Sequence, residues 1–241
     1  MKTQQGFSLI ELAIVLVIVT ILIGGLAVPL SAQIEARRIG ETRKAMEAIH
    51  DTLIGYAMSH TVTVGSVTRH YLPCPDTNND GLEEPRTSGD CPADRGGLPW
   101  ITLGVQGDDA WGNRYTYAVD ARFSNTSTGF ISTPSATPAN LNILPIASCL
   151  ASPMMANVPA VWVSHGPQGR GALNMNGGTP LAPASVAADE RQNLNVASSS
   201  LPCPNNTNFV SHSPTGNFDD LVMWLSSSEL FSRVCPSGGC P

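Results

Sequence analysis

The chain opens on an almost unbroken apolar run. From Leu12 to Leu30 nearly every position is aliphatic, and about 20 such residues are enough to carry a helix across a hydrocarbon core. After Pro29 the pattern becomes amphipathic. Ile39, Met46 and Leu53 recur every seven residues, with Thr42, Ile49 and Tyr56 interleaved at the same spacing, which draws one stripe along a helix. The stripe fades before the three to four or so heptads that a coiled coil requires. It therefore predicts a helix whose second half docks on its own globular domain. Beyond His60 the helical period gives way to short runs. Tyr115, Tyr117 and Val119 alternate as on a strand that follows a tight turn, and Val158 to Ser164 reads as a second strand. Residues 124–157, rich in Ser, Thr, Pro, Ala and Asn, read as a surface excursion with little core of its own. Near the C-terminus, Phe218, Leu221, Val222, Trp224 and Leu225 predict a short strand or helix, and Ser226 to Ser228 introduce a helical turn running through Glu229 to Arg233.

Composition sharpens this reading. With 22 Gly, 19 Pro and only 13% charged residues, the region past the anchor is expected to be loop-rich, with short strands rather than long helices. A net charge of −6 and a pI near 5.2 argue against a general grip on nucleic acid, which needs a basic surface.

Inside the first apolar run stands a carboxylate, Glu11, and no Lys, Arg or His lies between Lys2 and Arg37. An ionised side chain at such depth costs about 2.5–3.5 kcal/mol on insertion scales, so its partner is expected on another molecule or in a charge created by processing. An ordinary secretory signal cleaved after Ala27 is the rival reading. Against it stand the length of the apolar stretch, the interruption at Glu11 and a basic region reduced to Lys2.

The heptapeptide Gly6-Phe7-Ser8-Leu9-Ile10-Glu11-Leu12 resembles, at every position, the cleavage and methylation motif of type IV pilins and type II secretion pseudopilins. The resemblance implies a leader at 1–6 and cleavage by a prepilin peptidase between Gly6 and Phe7, with N-methylation of the new Phe7 amine. It also implies that Glu11 serves assembly by neutralising a neighbour's amine. The expected fold is α+β: a long N-terminal stalk helix on a mainly antiparallel sheet, stapled by disulfides. Its transmembrane half would span 7–30, its amphipathic half 31–60, and a periplasmic domain 61–241. Such a helix, from Phe7 to about His60, would measure roughly 80 Å at 1.5 Å per residue. Pro29, beside Gly24 and Gly25, resembles the kink of pilin stalks. The segment 107–117 resembles the D-P-W-G-x-P-Y-x-Y signature of the major pseudopilin at Asp109, Trp111, Gly112, Tyr115 and Tyr117, and departs from it at Ala110 and Arg114. The resemblance further implies other pilin subunits, an inner-membrane assembly platform and its ATPase as partners. It leaves pseudopilus and pilus open, and leaves the alternative of a membrane-tethered module binding calcium, an adhesion target or DNA.

The six cysteines, Cys74, Cys91, Cys149, Cys203, Cys235 and Cys240, follow an anchor and form no C-x-x-C pair, which favours disulfides in an oxidising compartment. Proximity along the chain suggests Cys74 with Cys91 and Cys235 with Cys240, leaving Cys149 for Cys203. Zinc held by His60 or His70 with Cys74 and Cys91 is the rival, at a spacing that fits no familiar finger. Asp76, Asn78, Asp80 and Gly81 reproduce the first half of a calcium loop. Thr87 stands where its bidentate Glu belongs, with Glu83 or Glu84 near enough to substitute; the competing reading is an Asx-turn hairpin. The major pseudopilin holds its calcium in a later loop, whose ligands find no residue-by-residue match here. Ser164-His165, and Gly166, Gly169 and Gly171, imitate a nucleophile pair and a phosphate cradle. Adjacent strand residues point to opposite faces, however, and no Lys-Ser follows the glycines, so no catalysis is expected.

Overall fold

The structure is a computed structural model of the chain. It describes residues 8–130, 140–175, 187–204 and 206–235, without the side chains of 23–30 and 198. The chain forms two compact units, Met1–Gly40 and Glu41–Pro241, and helix α1, Leu9–Ser59, contributes to both.

In the first unit every described side chain from Ser8 to Leu22 is exposed, and most are large and aliphatic, with Leu9 at 92% and Ile10 at 70%. A helix that is apolar all round finds its complement in other helices or in lipid, because it offers water no polar face. Among the described residues no helix is long and apolar enough to cross a membrane.

The second unit is built in layers. A hairpin of β1, Thr61–Val64, and β2, Val67–His70, follows the helix. Strands β3, Arg95–Gly97, β4, Thr116–Val119, β7, Ala160–Ser164, and β9, Leu221–Leu225, form an antiparallel sheet in the order β3-β4-β7-β9. Strands β5, Leu141–Leu144, β6, Met155–Val158, and β8, Asn208–Val210, form another in the order β6-β5-β8. Short helices α2, Trp100–Leu103, α3, Ala121–Ser124, and α4, Ala188–Gln192, lie in the connections, and α5, Ser227–Val234, follows β9.

Alternation along β4 and β7 assigns their two faces. Tyr115, Tyr117, Val119, Ala160 and Trp162 share one core with Met46, Ile49, Leu53 and Tyr56 of α1. Ala118, Val161 and Val163 share a second core with Leu141, Ile143, Val158 and Phe209 of the smaller sheet. The amphipathic stripe thus docks within its own domain, where Trp162 Nε1 donates to the Met46 carbonyl at 3.2 Å. At the turn before β4, Asp109 accepts from the Trp111 and Asn113 amides and from the Ser164 hydroxyl, at 2.7 Å for the last. Gly112 takes φ +80, a value that favours glycine.

Several expectations change. Among the described residues the strands make three sheets rather than one, and β5 pairs with β8 in parallel. The single strand expected over 158–164 is two, β6 and β7, divided at Pro159, which has no amide hydrogen to give a ladder. The stretch 124–157 contributes β5, whose Leu141, Ile143 and Leu144 are buried. The C-terminal region resolves into strand then helix, with the Ser226 hydroxyl accepting from the Glu229 amide as an N-cap.

Candidate functional site

Gly6 and Phe7, the expected cleavage pair, lie outside the described residues. Glu11 lies within them, and its carboxylate has a partner that the sequence reading missed. One oxygen accepts both the Ser8 amide and the Ser8 hydroxyl at 3.1 Å, and the Glu11 amide donates back to Ser8 Oγ at 3.3 Å. This reciprocal pair is a capping box, for which the spacing S-x-x-E is the signal. It satisfies amides at the helix start but supplies no positive charge.

The cysteines pair as Cys74–Cys91 and Cys149–Cys203. Cys235 is also disulfide-bonded, while Cys240 lies outside the described residues. With Cys74 and Cys91 joined, the zinc set is dissolved; His70 Nδ1 sits 2.8 Å from the Ala57 carbonyl and His60 stacks on Tyr56.

The loop read as half a calcium site directs its oxygens to its own backbone. Asp76 accepts from the amides of Asn78, Asn79 and Gly81, Asn78 from that of Asp80, and Asp80 from that of Leu82. Glu83 turns away to the Tyr56 hydroxyl at 2.6 Å, the Cys74 amide and the Arg86 guanidinium at 2.8 Å. Burial, with Glu83 adding to it, pushes the Tyr56 phenol above its ordinary range. Asp76, Asn78 and Asp80 thus form a chain of Asx turns, and Glu83 points away from them.

Convergence occurs elsewhere. Among the described residues, Glu190 of α4 and Asp219 and Asp220, just before β9, bring carboxylate oxygens within 4.8 Å of one another. Glu190 is only 1% exposed, and neither of its carboxylate oxygens has a hydrogen-bond partner. Around it the groups are firmly placed. Asp220 accepts from Asn193 Nδ2 at 2.8 Å and faces His165 Nδ1 at 3.5 Å, while His165 Nε2 lies 2.8 Å from Thr116 Oγ1. Asp219 accepts from the Gln168 amide at 3.0 Å. Gly166, with φ +60, lets this loop close, since a Cβ there would collide with the Asp219 carbonyl. Ser164 and His165 are thus committed to separate networks and form no nucleophile–base pair.

Arg95 on β3 anchors the far side. Its buried guanidinium donates to the carbonyls of Gln192, Leu194 and Asn208 and lies 3.9 Å over the Phe209 ring. Burial alone pulls its pKa down to about 9.

Three carboxylates gathered in a buried place repel one another. Burial, followed by the charges of Asp220 and Asp219, raises Glu190 from 4.5 to about 7. Burial also raises Asp219. Between about 4.5 and about 7 the folded chain then binds more protons at Glu190 than the unfolded one, so this group's contribution to stability falls as pH rises through that window. A hard divalent cation would reverse the effect. Calcium takes about 6–8 oxygen ligands, and Glu190, Asp219 and Asp220, with both Glu190 oxygens and Asp219 Oδ1 lacking a hydrogen-bond partner, are an all-oxygen donor set of the right chemistry.

Residues 1–27 match the family described as the prokaryotic N-terminal methylation motif, the signature of type IV pilins and pseudopilins. No curated protein and no solved structure matches the chain.

Proposed function

We infer from the methylation signature at residues 1–27 that this chain is a structural pilin-like subunit rather than an enzyme. In this reading prepilin peptidase removes residues 1–6, Phe7 is N-methylated, and the apolar part of α1 holds the protein in the inner membrane. The domain beyond it stands in the periplasm. The subunit then assembles into a type II secretion pseudopilus, or into a type IV pilus as a minor component. The exposed aliphatic surface of residues 9–22 supports it, because a helix of this kind needs lipid or neighbouring helices.

Glu11 separates the two roles that its geometry suggests. Glu11→Ala removes both charge and cap, whereas Glu11→Gln retains an oxygen for the cap and loses the charge. Both variants are expected to be cleaved before Phe7 and to stay in the membrane fraction, and both to enter filaments at least about tenfold less well, since an unpaired amine at this depth is costly. Recovery of the Gln variant in sheared filaments at the wild-type level would reduce Glu11 to a cap. A mature N-terminus at Val28, read by mass spectrometry, would overturn the pilin reading itself.

A second reading rests on the orphaned oxygens of Glu190: the head binds calcium through Glu190, Asp219 and Asp220. In chelator, the wild-type melting temperature is expected to fall between pH 5 and pH 8 more than that of Glu190→Gln. Calcium at about a hundred times its Kd should add about 2.7 kcal/mol to the wild type, and little to the variant. Equal pH slopes and equal responses to calcium would remove this site.

A further inference from the structure

Between α1 and the free edge of the larger sheet runs a groove of about 590 Å³ lined by Glu47, His50, Asp51, Val222, Met223, Trp224 and Glu229. Its floor is β9, the last strand in the order β3-β4-β7-β9, so a row of backbone groups on that edge has no neighbouring strand among the described residues. Its rim is acidic. His50 bridges Asp51 at 3.5 Å and Glu229 at 3.2 Å, and Arg233 reaches Asp51 at 3.6 Å. Glu47 takes part in no ion pair among the described residues. A groove with carboxylates above and Met223, on the α1 side of β9, below suits a long cationic side chain, whose stem lies on Met223 while its head meets the carboxylates.

The same face of α1 carries such side chains. Arg43 and Lys44 are exposed and precede Glu47 by four and three residues, which places them on its side of the helix. Read along the axis, the face is positive at 43–44 and negative at 47–51. Two parallel copies displaced axially by about 6–12 Å bring unlike charges together, at 1.5 Å per residue. We propose that this groove receives Arg43 and Lys44 of a second copy of the chain, so that a bipolar stripe on α1 sets the axial stagger between neighbouring subunits. The proposal rests on the filament reading above.

Complementation between two variants of the full-length chain tests it, in cells that process and assemble the wild type. One variant carries Glu47→Lys with Asp51→Lys, the other Arg43→Glu with Lys44→Glu. Each alone opposes like charges at the contact and is expected to lower chemically crosslinked multimers by about tenfold or more. Co-expressed, each groove meets a matching stripe, and multimers should return to within about twofold of wild type. Crosslinking of the wild type in isolated membranes should also fall as salt rises from about 0.05 to about 0.5 M, where screening shortens the reach of charges. Wild-type assembly by either single variant, no recovery on mixing, or a salt-independent yield would overturn the groove and leave the filament reading standing. The same holds if Arg43 and Lys44 act on anionic lipid, for then the Glu47 and Asp51 variant assembles normally. Absence of any wild-type multimer would overturn both.

Discussion

Removing the Cys149–Cys203 disulfide by replacing both residues with Ala is expected to destabilise the second unit by about 4 kcal/mol. The two cysteines are 54 residues apart in sequence, and the chain-entropy account assigns a larger effect to longer loops; Cys74–Cys91, at a separation of 17, should contribute about 3 kcal/mol. The affected region is the one that holds the carboxylate cluster. Cys203 is buried, its amide donates to Gln192 Oε1 at 2.8 Å, and Gln192 Nε2 returns to the Cys203 carbonyl. For a unit of this size a loss of that order lowers the melting temperature by about 8–16 °C. A double variant melting within about 2 °C of wild type would show that the bond closes a loop already held by packing.

Arg95→Met should be comparably severe, at about 3–5 kcal/mol. The guanidinium is the donor for three backbone carbonyls, and Met fills the volume over Phe209 while leaving those acceptors buried without partners. Two of the three carbonyls belong to Gln192 and Leu194, on either side of Asn193, whose side chain grips Asp220. The loss is therefore expected to spread to the cluster. In urea unfolding, the variant should show a lower midpoint and a weakened difference between pH 5 and pH 8. A midpoint within experimental error of wild type would mean that water or rearranged side chains satisfy the carbonyls.

The legible parts of this chain were those whose information is local. The stripe from Thr42 to Tyr56 announced a docked helix because its period is that of the helix, and four of its members reach the core. Alternation at Tyr115, Tyr117 and Val119 announced a strand, and of the two disulfides seen Cys74–Cys91 joins neighbours along the chain, while Cys149–Cys203 is the pair that proximity leaves over. What escaped was set by long-range geometry. Strand β5 is short and lies in a segment rich in Ser, Thr and Pro, so only its partners β6 and β8 identify it. Glu190 is distant in sequence from Asp219 and Asp220, and nothing local marks a Glu in a polar stretch as buried. Asp76, Asn78 and Asp80 fit two readings at once: a calcium loop and a run of Asx turns use the same residues, because in both short side-chain oxygens turn back on the chain. The Ser8–Glu11 box was readable in principle. The charge of Glu11 calls for a cation, while the S-x-x-E spacing supplies a neutral partner three residues back.

The parallel pairing of β5 with β8 bears on how the protein matures. It sets Asn142 beside Asn208, so most of the intervening chain must be synthesised and ordered before the outer sheet can close, and such non-local pairings form slowly. Until then Ala118, Val161 and Val163 lack their cover, and Phe209 has no place to go. Cys149 and Cys203 lie just beyond β5 and just before β8, so oxidation of this pair shortens the search. In a reducing environment the chain would linger with the back of its central sheet open to other chains, which makes the redox state of the compartment a timer for when the subunit becomes safe to accumulate.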